Sequence, residues 1–166
     1  MREILFRGQT RKKGQKVWVD GTHVDGEWVY GGVLQGVGDF SVIYGGKNQN
    51  DYGEDLQKWC VYTDTLGQFT GLNDKNGKKI FEGDILPIED EIVAVVIFQD
   101  GCFRLEEYGL CGTWTESGFD ECGGGWGIIE CDPIDWYTIG DMEVIGNIYD
   151  NPELLGGGED VKTENR

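Results

Sequence analysis

Two carboxylates two residues apart, Glu82 and Asp84 in IFEGDIL (80–86), are the first candidates for chemistry in this chain. On an extended strand they would share a face, and such a pair can hold a divalent cation or divide acid and base roles. No histidine stands near them, so a solvated acidic face is the competing reading. Glu89-Asp90-Glu91 forms a second acidic patch, and Asp132 with Asp135 a further pair. Just upstream, Asp74, Asn76 and Gly77 fall at the third, fifth and sixth places of an EF-hand calcium loop. That template fails at both ends, with Leu72 at the first ligand position and Gly83 where the closing glutamate belongs. Asn76-Gly77 reads better as a hairpin turn, because both residue types tolerate positive φ.

Other reactive residues are sparse. Cys102 and Cys111 are nine apart, as are Cys122 and Cys131, and four thiolates could hold zinc. Structural zinc sites use close cysteine pairs, however, and there is no C-x-x-C here. The single histidine, His23, lies in the turn-rich DGTHVDG, and neither serine, Ser41 nor Ser117, sits in G-x-S-x-G. Phosphate-loop, H-E-x-x-H and G-x-G-x-x-G patterns are absent. No catalytic, cofactor-binding or metal residue is assigned on this basis. Glu82, Asp84, Glu89, Asp90 and Glu91 remain the site candidates.

The elements that must carry these residues have a period of two. KVWVD (16–20), EWVYGGVL (27–34), FSVIY (40–44) and WCVYT (59–63) are β-branched and aromatic runs separated by Gly, Asp and Asn. The pattern continues through KKIFEGDIL, IVAVVIFQ (92–99), CFRLEE (102–107), GWGIIE (125–130) and EVIGNIYD (143–150). Asp100-Gly101 predicts a two-residue hairpin turn between two of these runs. Only NPELL (151–155) reads as a helical turn, with Asn151 as its cap and Pro152 at its first position. The fold class is mainly β: all-β, or α+β if that one short C-terminal helical turn is counted.

Charge is divided unevenly. The chain of 166 residues carries a formal charge of −17, and 28 glycines suit many tight turns. Residues 1–80 have a net charge of +1 and residues 81–166 a net charge of −18. The acidic half repels nucleic acid and anionic lipid and attracts basic partners. The basic cluster Arg2, Arg7, Arg11, Lys12, Lys13 and Lys16 reads as a solvated strand and turn, and direct nucleic-acid binding is disfavoured. No apolar run reaches the length of a transmembrane helix, and MREILFRG is too short and charged for a signal peptide. An odd number of cysteines, 5, fits a cytoplasmic location.

MREILFRG, VYTDTLGQFTGLNDKNGKKIFEGDIL, VVIFQDGCFRL and EVIGNIYDNPELL, in that order, resemble the YopX family of bacteriophage and prophage proteins. Its members open on M-R-E-I-x-F-R, carry a T-G-L-x-D-x-N-G-x-x-I-x-E-G-D-I block and end on V-I-G-N-I-Y-x-N-P-E-L-L. The resemblance supplies no catalytic residues and carries over no established biochemical activity. It implies a small barrel-like antiparallel sheet with an N-terminal β extension, in which FEGDIL is a core strand bent at Gly83 and Asp84 bonds backbone groups. A single β domain over 1–155 is expected, with an irregular Trp-, Cys- and Gly-rich insertion at about 108–140 and a flexible acidic tail at 156–166.

The leading functional expectation is a phage accessory protein acting through a host or phage protein partner, without enzymatic activity, and self-associating through strand edges. One alternative is an acidic decoy for a host nucleic-acid-binding protein. Others are a metal-dependent enzyme using the paired carboxylates, and a nucleic-acid binder using the basic N-terminus with Trp18.

Overall fold

The computed structural model describes residues 3–10, 17–19, 22–24, 27–34, 36, 38–47, 57–89, 92–110, 113–115, 118–120, 126–134, 139 and 141–156. The chain forms two compact units, Met1–Asn73 with Lys79–Glu82, and Asp74–Lys78 with Gly83–Arg166.

The first unit contains β1 (Phe6–Gln9), β2 (Val17–Val19), β3 (Thr22–Val24), β4 (Trp28–Leu34), β5 (Phe40–Gly46), β6 (Gln57–Tyr62), β7 (Gly67–Asn73) and β8 (Lys79–Phe81). Six of these make one antiparallel sheet in the order β6-β5-β4-β1-β7-β8, and β2 pairs with β3 separately. Alternation builds the core: on β5, Ser41, Ile43 and Gly45 are buried while Phe40 and Tyr44 point outward. Val29, Ile43 and Val61 form one buried cluster, with Val33, Trp59 and Leu66 packed around it. Each such side chain contributes about 1.5–3 kcal/mol by leaving water. A second cluster joins Leu5, Phe69 and Phe81, with Tyr30 against it.

Two glycine positions let this sheet curl. A Cβ at Gly8 would lie 3.0 Å from Val61 Cγ2, so β1 and β6 approach across the core only because residue 8 has no side chain. Gly31 and Gly45 face each other on β4 and β5. A Cβ at Gly31 would lie 2.0 Å from the Tyr44 carbonyl oxygen, which no side chain tolerates.

The second unit contains β9 (Asp84–Glu89), β10 (Ile92–Gln99), β11 (Cys102–Leu110), β12 (Thr113–Thr115), β13 (Gly118–Asp120), β14 (Trp126–Pro133) and β15 (Gly146–Asn147). The main sheet runs β14-β11-β10-β9-β15, with β12-β13 as a separate hairpin. The β10–β11 turn is the two-residue type expected: Asp100 has φ 54° and Gly101 φ 82°, with Gln99 paired to Cys102. Ile85, Leu86, Ala94, Val96 and Leu105 are buried in this sheet. Of the region expected to be an insertion, 126–133 forms β14, paired with β11. The expected tail from 157 onward lies outside the described residues.

The mainly β class stands, and its predicted architecture does not. Neither sheet closes into a barrel: among the described residues no pairing joins β6 to β8 or β14 to β15. Nor is β1 an extension, since it lies between β4 and β7 inside the six-stranded sheet. The physical reason sits at Glu82-Gly83. IFEGDIL is not one strand; β8 ends at Phe81, Glu82-Gly83 form a turn, and β9 begins at Asp84 in another sheet. Gly83 has φ +82°, a conformation that redirects the chain and that other residues resist. The C-terminal turn is a 3-10 helix, Pro152–Leu155, with proline at its start but no side-chain cap from Asn151.

The curled sheet makes a position-specific prediction. Gly31→Ala forces backbone movement and lowers stability by about 1–3 kcal/mol or more. Gly32→Ala, next in the chain but with nothing within 4 Å of its Cβ, stays near wild type. Urea unfolding of the two variants side by side measures the difference.

Candidate functional site

The described candidate carboxylates are divided between the two units. Glu82 belongs to the first unit, Asp84 and Glu89 to the second. Because a turn separates Glu82 from Asp84, the period-two argument for a shared face does not apply. The main chain of Glu82 is engaged: its N–H donates to the Gln68 carbonyl (3.0 Å), and its carbonyl accepts from Arg7 Nη2 (3.0 Å). Arg7 is buried, with its guanidinium 4.7 Å from the Trp28 ring and 5.0 Å from the Phe81 ring. Asp84 is 1% exposed and opens β9 opposite Asn147. Glu89 is exposed at the end of β9, opposite Ile92. Asp90, Glu91 and Asp135 lie outside the described residues.

The other candidates are only partly described. His23 pairs with Trp18 in the β2–β3 hairpin and Asp132 stands opposite Leu105, but their side chains lie outside the described set. Of the four thiols considered for zinc, Cys102 is half-buried and its Sγ donates to the Gln99 carbonyl at 3.6 Å. Cys111 and Cys122 lie outside the described residues. Among the described residues no three His, Cys, Asp or Glu side chains are grouped for a metal.

The structure gathers a different set of polar residues, all within the second unit. Asp74 is 6% exposed and accepts three backbone N–H groups. Its Oδ1 takes those of Asn76 (2.8 Å) and Lys78 (2.9 Å), and its Oδ2 that of Val144 (3.2 Å). The Gly77 N–H donates to the Asp74 carbonyl (2.9 Å), and the Asp74 N–H to that of Lys78 (2.8 Å). This is a type I turn closed by a left-handed glycine at φ +80°. Of the expected Asn76-Gly77 pair, only the glycine takes positive φ. The turn docks on 142–144: the Lys75 N–H donates to Met142 O (2.9 Å), and Lys75 Nζ lies 2.9 Å from Glu143 Oε2. The hydrogen bond from Lys75, then that from Asn76, hold the Glu143 carboxyl below its ordinary 4.5.

A side-chain-built loop follows. Gly146 and Asn147 pair with Ile85 and Asp84, and the Ile148 N–H donates to Gly83 O (2.9 Å). Asn147 Oδ1 accepts the N–H groups of Tyr149 and Asp150, both at 3.0 Å, while its Nδ2 donates to Asp150 Oδ2 (2.9 Å). A Cβ at Gly146 would lie 2.6 Å from Asn151 Oδ1. So DKNGK (74–78), Gly83-Asp84 and VIGNIYDN (144–151), far apart in sequence, build one hydrogen-bonded assembly within the second unit. Sequence reasoning met Asp74 as a calcium ligand and read its turn, but nothing local announced Val144 as a partner.

The outer face of β4-β5-β6 in the first unit is the second notable surface. Leu34, Phe40 and Tyr44 are 61%, 49% and 40% exposed. Phe40 stacks tilted on Tyr62 at 4.9 Å, and Val42 lies between Leu34 and the exposed Cys60 in register. Lys58, opposite Tyr44, is the one charged residue among these positions.

The turn yields two predictions. Asp74→Ala leaves three amides without their acceptor and costs roughly 2–4 kcal/mol in urea unfolding. The Glu143 carboxyl, followed by carbon NMR, titrates below the ordinary range and moves back up in Lys75→Ala. A depressed carboxylate stabilises the fold above its ordinary pKa and loses that contribution as pH falls through the lowered value.

The curated proteins offer no match to this chain. The family model described as YopX protein matches residues 23–156, a span that includes the Asp74 turn, the Gly83 bend and the Asn147 loop. The chain belongs to the YopX family of phage and prophage proteins.

Proposed function

We propose that this protein is a non-enzymatic accessory protein that binds another protein, of host or phage, through the outer face of β4-β5-β6. The observation that carries this reading is the exposure of Leu34, Phe40 and Tyr44 side by side on a regular sheet. Neighbouring apolar side chains on one sheet face offer the kind of contact that protein interfaces bury, and aromatic anchors dominate their energies. The near absence of charge on this face, in a chain of −17, supports it further. The buried carboxylate of Asp74 argues in the same direction. Asp74 is engaged with backbone N–H groups in the manner of a structural acceptor.

No described helix is long and apolar enough to cross a membrane. Action in the host cytoplasm, and self-association, are part of the same proposal. Phe40→Lys and Leu34→Lys change exposed positions and leave the fold intact. Each is expected to weaken binding by about 2 kcal/mol, roughly thirtyfold. Affinity capture from phage-producing cells with wild type and both variants provides the check. Identical captured proteins in all three would overturn the assignment of this face, and capture of basic proteins that depends on low salt would point instead to the acidic half.

A further inference from the structure

The docked turn at 74–78 carries a chemistry that binding does not use. Asn76 is followed by Gly77, which has no side chain to shield its backbone nitrogen, and both residues are exposed. In such a pair the glycine nitrogen attacks the asparagine side-chain carbonyl carbon. A bond forms from Gly77 N to Asn76 Cγ, the attacking nitrogen gives up its proton, and the side-chain nitrogen departs as ammonia. The product is a succinimide ring. Water then opens the ring at either carbonyl, giving aspartate or an isoaspartate whose main chain runs through the side-chain carbon. Water is the only co-reactant.

We propose that Asn76 is a site of spontaneous covalent conversion, restrained by the docking of its turn on residues 142–144, and that the conversion releases that docking. Two contacts restrain it. The Gly77 N–H is donated to the Asp74 carbonyl at 2.9 Å, so the attacking nitrogen is already engaged within the turn. The Asn76 N–H is held by Asp74 Oδ1 at 2.8 Å, fixing the backbone on the other side of the reacting atoms. Reaction therefore requires the turn to open locally, and its rate follows the population of the opened turn.

The product acts back on the same contacts. An aspartate at 76 adds a negative charge to a turn that already holds Asp74 and whose Lys75 pairs with Glu143. An isoaspartate lengthens the main chain inside a loop closed by the bond from Asp74 N–H to Lys78 O. Either change weakens the contacts from Lys75 N–H to Met142 O and from Val144 N–H to Asp74 Oδ2. The result is a one-way change, timed by local opening, in the turn that anchors residues 142–144.

The experiment is prolonged incubation of the full chain at mildly alkaline pH, with peptide mapping by mass spectrometry that separates asparagine, aspartate and isoaspartate at 76. A synthetic peptide spanning 72–80 gives the unrestrained rate. The expected result is conversion at Asn76 in the intact protein about tenfold or more slower than in the peptide. Lys75→Ala and Glu143→Ala, both at exposed positions with Asn76-Gly77 intact, are expected to accelerate it. Asn76→Asp, made directly, is expected to reduce hydrogen-exchange protection of the Val144 amide. The proposal is overturned by a protein rate equal to that of the peptide, or by an unconverted Asn76 in both variants after the peptide has reacted. Wild-type protection of Val144 in Asn76→Asp would overturn the release.

Discussion

Where the described residues are almost all strand and turn, buried backbone amides are satisfied by strand pairing, by turn carbonyls, by water or by a side chain that reaches them. The strands of this protein are short, and each place where pairing stops leaves groups to be satisfied. Polar side chains do this at several of these stops. Thr65 Oγ1 accepts the Gln9 N–H at 2.9 Å, Ser41 Oγ that of Gly36 at 3.2 Å, and Thr70 Oγ1 that of Leu72 at 3.1 Å. Asp74 and Asn147 do the same on a larger scale, for three and two amides respectively. Buried polar residues in this fold are thus the consequence of open, irregular sheets, and their burial is not by itself a sign of catalysis.

That constraint gives the family's sequence blocks a physical meaning. In T-G-L-x-D-x-N-G the aspartate is the acceptor that builds the turn, and the glycine supplies the left-handed residue that closes it. In E-G-D-I the glycine redirects the chain, and its N–H and carbonyl meet Val96 and Ile148 at 2.7 and 2.9 Å. In G-N-I-Y the glycine makes room for Asn151 and the asparagine folds the loop around itself. The Asp74 turn, Gly83 and the Asn147 loop converge on one assembly in the second unit. Function, on the proposal made above, lies instead on a sheet face of the first unit.

Much of the local structure was legible. Period-two alternation marked β4, β5, β6, β10, β11 and β14 but not β1 or β7, and Asp100-Gly101 specified its turn because two successive positive φ values suit those residues. Proline at 152 marked the start of the last turn. Legibility failed wherever the outcome depended on what a strand met. Glu82 and Asp84 looked like neighbours on one strand, yet Gly83 placed a turn between them. MREILFRG looked peripheral, yet β1 became interior because Gly8 admits Val61 and Ile43 close to its backbone. Arg7 reads as one of a solvated basic cluster, yet it is buried against Trp28 and Phe81.

The sequence by itself determined the β class, the principal turns and membership of the family, because each is written in local chemistry: alternation, positive-φ residues and short motifs. Only the tertiary structure decided that the sheets remain open, that Asp74 reaches Val144 seventy residues away, and that Leu34, Phe40 and Tyr44 are left in solvent. The reason is one of range. A turn residue acts on its own φ and ψ, whereas strand order, closure and burial are set by pairings between distant segments, for which many registers satisfy the same alternating pattern.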